Sequence, residues 1–256
     1  MRSEHANSMQ NKVPEVTAAF WAIKILSTTV GETGADYLAV HVGLGTTVTI
    51  AITVCLLAGS LIAQLRMRTY VPWIYWLTVV LVSVVGTQLT DVLSDGLGVS
   101  LYLSTTLFAM LLGAVFATWY AKENTLSIHT IVTRRRELFY WVAILVTFAL
   151  GTAAGDLATE AVGLGFSLGV LVFGCLLVVM GCAAWFGANR VLVFWLAYIL
   201  TRPFGASVGD LLSQSREYGG MGLGTVTTSI VFLALIVMLV TLHTSARVRQ
   251  GNAENA

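Results

Sequence analysis

Long apolar runs separated by short polar breaks fill most of the chain between residues 16 and 243. Each run is close to the roughly 20 residues that an α-helix needs to cross the hydrocarbon core of a bilayer. Residues 1–15 and 244–256 are predicted to be polar tails, and residues 121–137 a cytoplasmic linker with enough amphipathic character for a short surface helix. The pattern predicts one all-α transmembrane domain with eight transmembrane helices, at about residues 16–41, 46–64, 71–95, 99–120, 138–160, 166–186, 189–214 and 225–243.

A short motif divides these helices into four pairs. It consists of a Gly, three variable residues, a small residue and an Asp, and it occurs at residues 31–36, 86–91, 151–156 and 205–210. A Gly-Leu-Gly triplet follows each copy, before the second apolar run, at residues 43–45, 96–98, 163–165 and 222–224. The shared order indicates four repeats of one helical hairpin, at about residues 16–66, 71–120, 138–187 and 189–243.

The orientation of the repeats follows from their helix count and from the basic residues. Because every repeat contributes two helices, all four hairpins are predicted to enter the membrane in the same direction, unlike the inverted repeats of many secondary transporters. Apart from Lys24, Arg202 and Arg216, every Lys and Arg falls on the side of the N-terminus. The positive-inside rule therefore predicts that both termini are cytoplasmic.

Composition agrees with a membrane protein and excludes several other classes. Hydrophobic residues make up 57% of the chain and charged residues 11%, whereas soluble domains carry about 25% charged residues. No basic tract suggests a nucleic-acid partner. Cys55, Cys175 and Cys182 lie inside apolar runs and are expected to be free thiols. The chain lacks a Walker loop, an HExxH sequence and a Gly-x-Ser-x-Gly sequence, so we do not expect an enzyme.

Charged residues inside the predicted helices are the strongest functional signal. An acid at mid-membrane usually faces a bundle interior or a water-filled cavity, because exposure to lipid is costly. Only Lys24 and Arg202 are available there to neutralise acids. The acids within the predicted spans are Glu32, Asp36, Asp91, Asp95, Asp156, Glu160 and Asp210. The four motif Asp residues occupy the same place in each first helix, so four such helices around one axis would bring their carboxylates to a similar depth.

Small residues next to each Asp indicate which helix face is packed. They stand four residues apart, which lets helix backbones approach closely in lipid. These pairs are Gly31/Ala35, Gly86/Thr90, Gly151/Gly155 and Gly205/Gly209. We expect the motif helices to pack together along this stripe while their Asp side chains point towards a shared polar cavity.

Three repeats also present two carboxylates one turn apart. The pairs are Glu32/Asp36, Asp91/Asp95 and Asp156/Glu160, and Gln214 takes the corresponding place in the fourth repeat. Such pairs are either partly protonated or occupied by a cation. The alternative is that each Asp serves as structural glue by hydrogen bonding to a neighbouring hairpin.

Oxygen donors dominate this region, and oxygen ligands suit hard ions such as Mn²⁺ and Mg²⁺. Asp36, Asp91, Asp156 and Asp210 are therefore the candidate ion and metal ligands, with Glu32 adjoining them. Gln88, Asp95, Glu160, Arg202 and Lys24 are candidate supporting residues. His41 is the only histidine near this level, which does not support a zinc or nickel cluster.

The two intramembrane bases are expected to behave differently. Arg202 lies about 12 Å along its helix from Asp210, too far for an easy pair, so it should reach an acid of another repeat. Two interpretations stay open for it: a tethered cation that substrate displaces, or a static ion pair. Lys24 lies about 18 Å from Asp36 and is expected to extend to the cytoplasmic interface.

The string Lys-Ile-Leu-Ser-Thr-Thr-Val-Gly-Glu-Thr-Gly-Ala-Asp at residues 24–36 resembles a bacterial family of membrane-anchored proteins built from a repeat of unknown function. The resemblance covers essentially the whole chain. It implies the repeat organisation and a bacterial inner-membrane location, and it implies no activity for particular residues.

These observations favour an ion-gradient-driven cation transporter. A proton-coupled divalent-metal exporter, with manganese as the leading substrate, is the first hypothesis, and no resident cofactor is expected. A proton-coupled carrier of small organic cations is the second, although only Tyr37 and Phe204 offer aromatic rings near the Asp level. The third is a membrane scaffold or enzyme without transport, for example a hydrolase using Asp91 and Asp156.

Overall fold

The computed structural model describes residues 11–40 and 46–254, apart from the side chains of residues 39, 40, 46 and 246–254. This part of the chain is helical, without strands. Its α-helices are α1 (Ala18–Val40), α2 (Thr46–Arg66), α3 (Pro72–Asp91), α4 (Leu101–Glu123), α5 (Arg134–Asp156), α6 (Gly165–Trp185), α7 (Arg190–Ser213) and α8 (Thr225–Glu254). Two π-helical turns, Val92–Gly96 and Leu157–Ala161, continue α3 and α5.

Local sequence signals set several of these boundaries. The hydroxyls of Ser100 and Thr133 accept hydrogen bonds from backbone N–H groups in the first turns of α4 and α5, and the Asn189 side chain does the same for α7. The predicted Gly-Leu-Gly triplets fall at the turns. Gly163 and Gly222 both have a φ of 79° there, a conformation that glycine adopts without strain. The first triplet and His41 lie outside the described residues.

The four motif helices α1, α3, α5 and α7 form a closed ring. In it α1 packs against α3, α3 against α5, α5 against α7, and α7 against α1. Contacts advance in the same direction along neighbouring helices, since Phe20 meets Trp76 and Gly31, further along α1, meets Ser83 on α3. The motif helices are therefore parallel to one another.

The outer helices α2, α4, α6 and α8 surround this ring. Their main packing partners are α3, α5, α7 and α1 respectively, so each outer helix packs against the motif helix of the following repeat and α8 returns to the first. Many of their apolar side chains face outwards; Met110 is 59% exposed and Val178 is 66% exposed. Such a surface suits lipid rather than water.

By length and composition, α2 to α8 are each apolar enough to cross a membrane, which gives seven candidate spans among the described residues. The remaining helix, α1, is not among these spans, and it carries Lys24, Glu32 and Asp36. The chain is a multi-pass, all-helical membrane protein.

The first glycine of each motif lies directly against the next helix of the ring. A Cβ added at Gly86 would lie 2.7 Å from the Cβ of Phe148, and one at Gly151 would lie 2.5 Å from the Cβ of Arg202. Gly31 meets Ser83 and Gly205 meets Thr28 in the same way. The prediction that the small stripe packs the motif helices together is confirmed.

A second repeated feature lies near the start of the motif helices and connects all four of them. Each repeat has two adjacent aromatic residues, the first of them eleven residues before the motif Gly, and together they form the aromatic layer. Its members are Phe20, Trp21, Tyr75, Trp76, Tyr140, Trp141, Phe194 and Trp195. The first aromatic of each repeat contacts the Trp of the next, with ring centroids 5.6 Å apart for Phe20 and Trp76 and 5.7 Å apart for Phe194 and Trp21. These ring contacts join the four motif helices at that end.

The ends of the domain differ from the predicted tails and linker. Lys12 is buried, and its Nζ donates to Glu137 Oε2 at 2.6 Å and to the Leu65 carbonyl at 3.2 Å. Residues 11–13 are thus anchored to the bundle, because a buried acid on α5 holds the lysine. In the linker, the structure has a single 3₁₀ turn at Ile128–Thr130 in place of a surface helix. Residues 244–254 continue α8.

Candidate functional site

The four motif aspartates, Asp36, Asp91, Asp156 and Asp210, lie in the last turns of α1, α3, α5 and α7 and form what we term the aspartate layer. All four are half-buried. Each lies close enough to Glu32 and Arg202 to interact with both electrostatically. The parallel ring explains this grouping, because equivalent positions of parallel helices reach the same level.

Within the described part of the chain, no hydrogen bond or ion pair joins an aspartate of the layer to another side chain. Oδ2 of Asp36 is buried and has no hydrogen-bond partner there. A buried carboxylate oxygen normally has a partner, because its desolvation is otherwise uncompensated. The interpretation of these acids as structural glue gains no support from this geometry.

One ion pair crosses the ring beside the aspartate layer. Arg202 on α7 is fully buried, and its Nη2 lies 2.5 Å from Oε2 of Glu32 on α1. The same guanidinium donates to the Thr28 carbonyl at 3.1 Å and to the hydroxyl of Thr87 on α3. Arg202 reaches an acid of another repeat, as predicted. The pair links three of the four motif helices.

The prediction that Lys24 extends to the cytoplasmic interface is wrong. Its side chain is fully buried, with Nζ 3.8 Å from the centre of the Phe148 ring and 4.2 Å from that of Tyr198. The reason lies in the ring: Lys24 stands seven residues before its motif Gly, and at the equivalent positions of α3 and α5 Val79 and Ile144 are fully buried core residues. Helix spacing alone did not reveal that this face points inwards.

The candidate supporting residues are distributed around the layer. Gln88 is buried and engaged, since its Oε1 accepts a hydrogen bond from Thr53 of α2 at 2.6 Å. Asp95 and Glu160 are exposed in the two π-helical turns. Thr33 is hydrogen-bonded to Ser229 of α8 at 2.7 Å. In the carboxylate pairs of the second and third repeats, the motif Asp is therefore half-buried and its partner, one turn later, is exposed at the surface of the bundle.

The described side chains do not form a ready-made metal centre. Among them, no three His, Cys, Asp or Glu residues are gathered closely enough to hold one metal ion. The three cysteines are free and exposed on the outer helices. A metal ion bound by the aspartate layer would need its carboxylates to move closer together.

Aromatic residues near the axis were not recognised from the sequence as part of the site. Phe148 occupies the position on α5 that Arg202 occupies on α7, and Tyr198 lies one turn before Arg202. The aromatic layer lies further towards the start of the helices. A signal was present, because Phe-Trp or Tyr-Trp recurs at one distance before every motif. Such a repeated pair indicates a shared packing position.

Comparison with known proteins identifies the repeats. The family described as Repeat of Unknown Function (DUF347) matches four segments, residues 19–70, 74–125, 139–190 and 193–249. No curated protein and no solved structure matches the chain. The four matched segments cover most of the sequence and follow the predicted repeats closely, so the chain belongs to the DUF347 repeat family.

Proposed function

We propose that this protein is an ion-gradient-driven membrane transporter of cations. The observation that carries the proposal is the aspartate layer: four half-buried carboxylates at one level of a closed ring, without protein partners among the described residues. Acids held inside a membrane bundle mark ion pathways and proton relays. The layer would bind the cation, and Glu32 would adjoin it.

Charge balance supports a cation rather than an anion as substrate. Glu32 is already paired with Arg202, and the ammonium group of Lys24 is held by aromatic rings instead of by an acid. Among the described residues, the four aspartates thus form no ion pair of their own. A bound cation or protons would offset their charge, and exchange between the two would couple transport to a proton gradient.

The proposed topology has eight transmembrane helices. It includes α1 because α1 occupies a place in the ring equivalent to those of α3, α5 and α7, which are apolar enough to span a membrane. Both termini would be cytoplasmic, in a bacterial inner membrane, with all four repeats inserted in the same direction.

Two substrate classes are proposed for the layer. Carboxylate oxygens suit a divalent metal ion, with manganese the leading candidate, although the ligands would have to converge on it. The second class is small organic cations, which is favoured by the binding of the Lys24 ammonium group to two aromatic rings. Such a carrier would use the same carboxylates to exchange protons for substrate.

Flux into proteoliposomes tests the proposal. We expect saturable, gradient-dependent uptake of Mn²⁺ or methylammonium, and at least a tenfold loss in Asp156→Asn and in Asp210→Asn, because each removes charge from the layer. Glu217→Gln, which changes an exposed acid outside the ring, should keep the wild-type rate. Equal rates for all variants, or no cation flux with any substrate, would refute transport and leave a scaffold or an enzyme.

Topology is tested separately by reporter fusions. Fusions at Gly96 and Gly163 should both report the extracytoplasmic side, while fusions at Arg68 and Lys122 should report the cytoplasm, because parallel motif helices place equivalent turns on one side. If Gly96 and Gly163 reported opposite sides, the proposed topology would be wrong.

A further inference from the structure

Lys24 is held in the protein core by aromatic rings alone. Its Nζ is buried and finds no hydrogen-bond partner among the residues that the structure describes. Phe148 of α5 and Tyr198 of α7 present their ring faces to it at 3.8 Å and 4.2 Å. We call these two rings the aromatic clamp. Its geometry is that of a cation-binding site whose occupant is a side chain of the protein.

The clamp is a departure from the fourfold pattern. The positions equivalent to Lys24 in the other repeats hold Val79, Ile144 and Tyr198, so only the first repeat places a cation there. If this position served only to pack the core, an apolar residue would be sufficient. A lysine that gains no hydrogen bond there loses its hydration, and only the cation–π contacts offset that cost.

The chemistry of the clamp selects its ligand. Aromatic faces attract cations through their quadrupole and are used to recognise ammonium groups. They offer no oxygen lone pairs, whereas Mn²⁺ and Mg²⁺ need oxygen ligands. An alkylammonium group is therefore the cation that these rings can bind in place of Lys24.

The clamp lies on the same axis as the aspartate layer. Along α7, Tyr198 is one helical turn, about 6 Å, before Arg202, and about 18 Å before Asp210 at the α-helical rise of 1.5 Å per residue. The aromatic layer lies beyond the clamp, towards the start of the motif helices. A cation that passed from the aspartate layer to that end of the bundle would meet the clamp on its way.

We propose that the aromatic clamp is a second cation site, selective for alkylammonium groups over metal ions, which Lys24 occupies until a substrate ammonium group displaces it. This inference rests on the proposed transport function and assigns it a substrate class, alkylammonium ions. Lys24 acts as an internal competitor: it fills the site when substrate is absent and leaves it when substrate arrives.

Equilibrium dialysis of radiolabelled methylammonium with the detergent-solubilised full chain tests this proposal. Lys24→Ala removes the competitor and opens space, so methylammonium should bind at least tenfold more tightly than to the wild type. Adding Tyr198→Leu to Lys24→Ala should abolish that gain, while Tyr198→Phe, which keeps the ring face, should preserve it. Mn²⁺ binding should stay unchanged in all of these variants.

Unchanged methylammonium affinity in Lys24→Ala would overturn the proposal, as would equal effects of Tyr198→Leu and Tyr198→Phe. If Lys24→Ala does not fold, the two Tyr198 substitutions are compared in the wild-type background, where only the Leu variant should lose affinity, by at least tenfold. Binding is measured without a gradient, so the two ideas fail separately. If flux is observed but Lys24→Ala does not change methylammonium binding, the clamp proposal is refuted. If the clamp binds methylammonium but no flux is observed, the transport proposal is refuted.

Discussion

Arg202→Gln is expected to destabilise the folded protein by about 3–5 kcal/mol, the usual cost of removing one partner from a buried ion pair. Glu32 would be left inside the bundle without a counter-charge, close to the four carboxylates of the aspartate layer. The backbone carbonyl of Thr28 would also lose its guanidinium donor. Thermal unfolding of the purified protein in detergent measures the effect.

The double variant Arg202→Gln/Glu32→Gln should recover most of that loss, because it leaves no unpaired charge at the pair. Arg216→Gln is the matched control, since Arg216 is exposed outside the ring and should change the unfolding temperature little. A different outcome would identify a moving cation: Arg202→Gln would fold like the wild type, bind substrate and fail only in gradient-driven transport. That result would contradict the static pair.

Gly205→Leu is expected to reduce the yield of folded protein severely, with a loss of about 3 kcal/mol, the upper part of the usual range for overpacking. A Cβ at this position would lie 2.7 Å from the Cβ of Thr28 and closer still to its hydroxyl. The larger side chain would push α7 away from α1, where the closed ring has no free edge to absorb the shift. Size-exclusion chromatography of a fluorescent fusion measures the folded fraction.

The control for this substitution is Gly113→Leu on α4. A Cβ added at Gly113 meets nothing within 4 Å, so the same change of residue should be tolerated. Gly151→Leu should behave like Gly205→Leu, because Gly151 lies against Arg202. Similar yields for Gly113→Leu and Gly205→Leu would show that the small stripe does not hold the ring together.

Features within a single helix were predictable from the sequence. The spacing of the motif fixed the positions of Gly205, Gly209 and Asp210 on one helix, and the fourfold repetition placed equivalent residues at one level. The length of the helix between Arg202 and Asp210 was enough to predict that Arg202 pairs with another repeat. Each of these inferences needed only helical geometry and the repeat.

Features that depend on how helices meet were not predictable in the same way. Lys24 was expected at the interface, because a lysine near a helix end usually extends to water; its actual direction is decided by Phe148 and Tyr198 on two distant helices. Lys12 was placed in a tail for a similar reason, since its partner Glu137 is 125 residues away. The packing of each outer helix against the following repeat also has no local signal.

The order of packing around the ring has a consequence for biosynthesis. Helices α2, α4 and α6 each find their main packing partner in the helix synthesised next, but α1 must also pack against α7 and α8, which are synthesised much later. Glu32 must remain unpaired until Arg202, 170 residues later, has been added. At about 5–20 residues per second, that delay is roughly 10–35 s. Helix α1, which carries Lys24, Glu32 and Asp36, is thus synthesised well before the two helices that complete its packing.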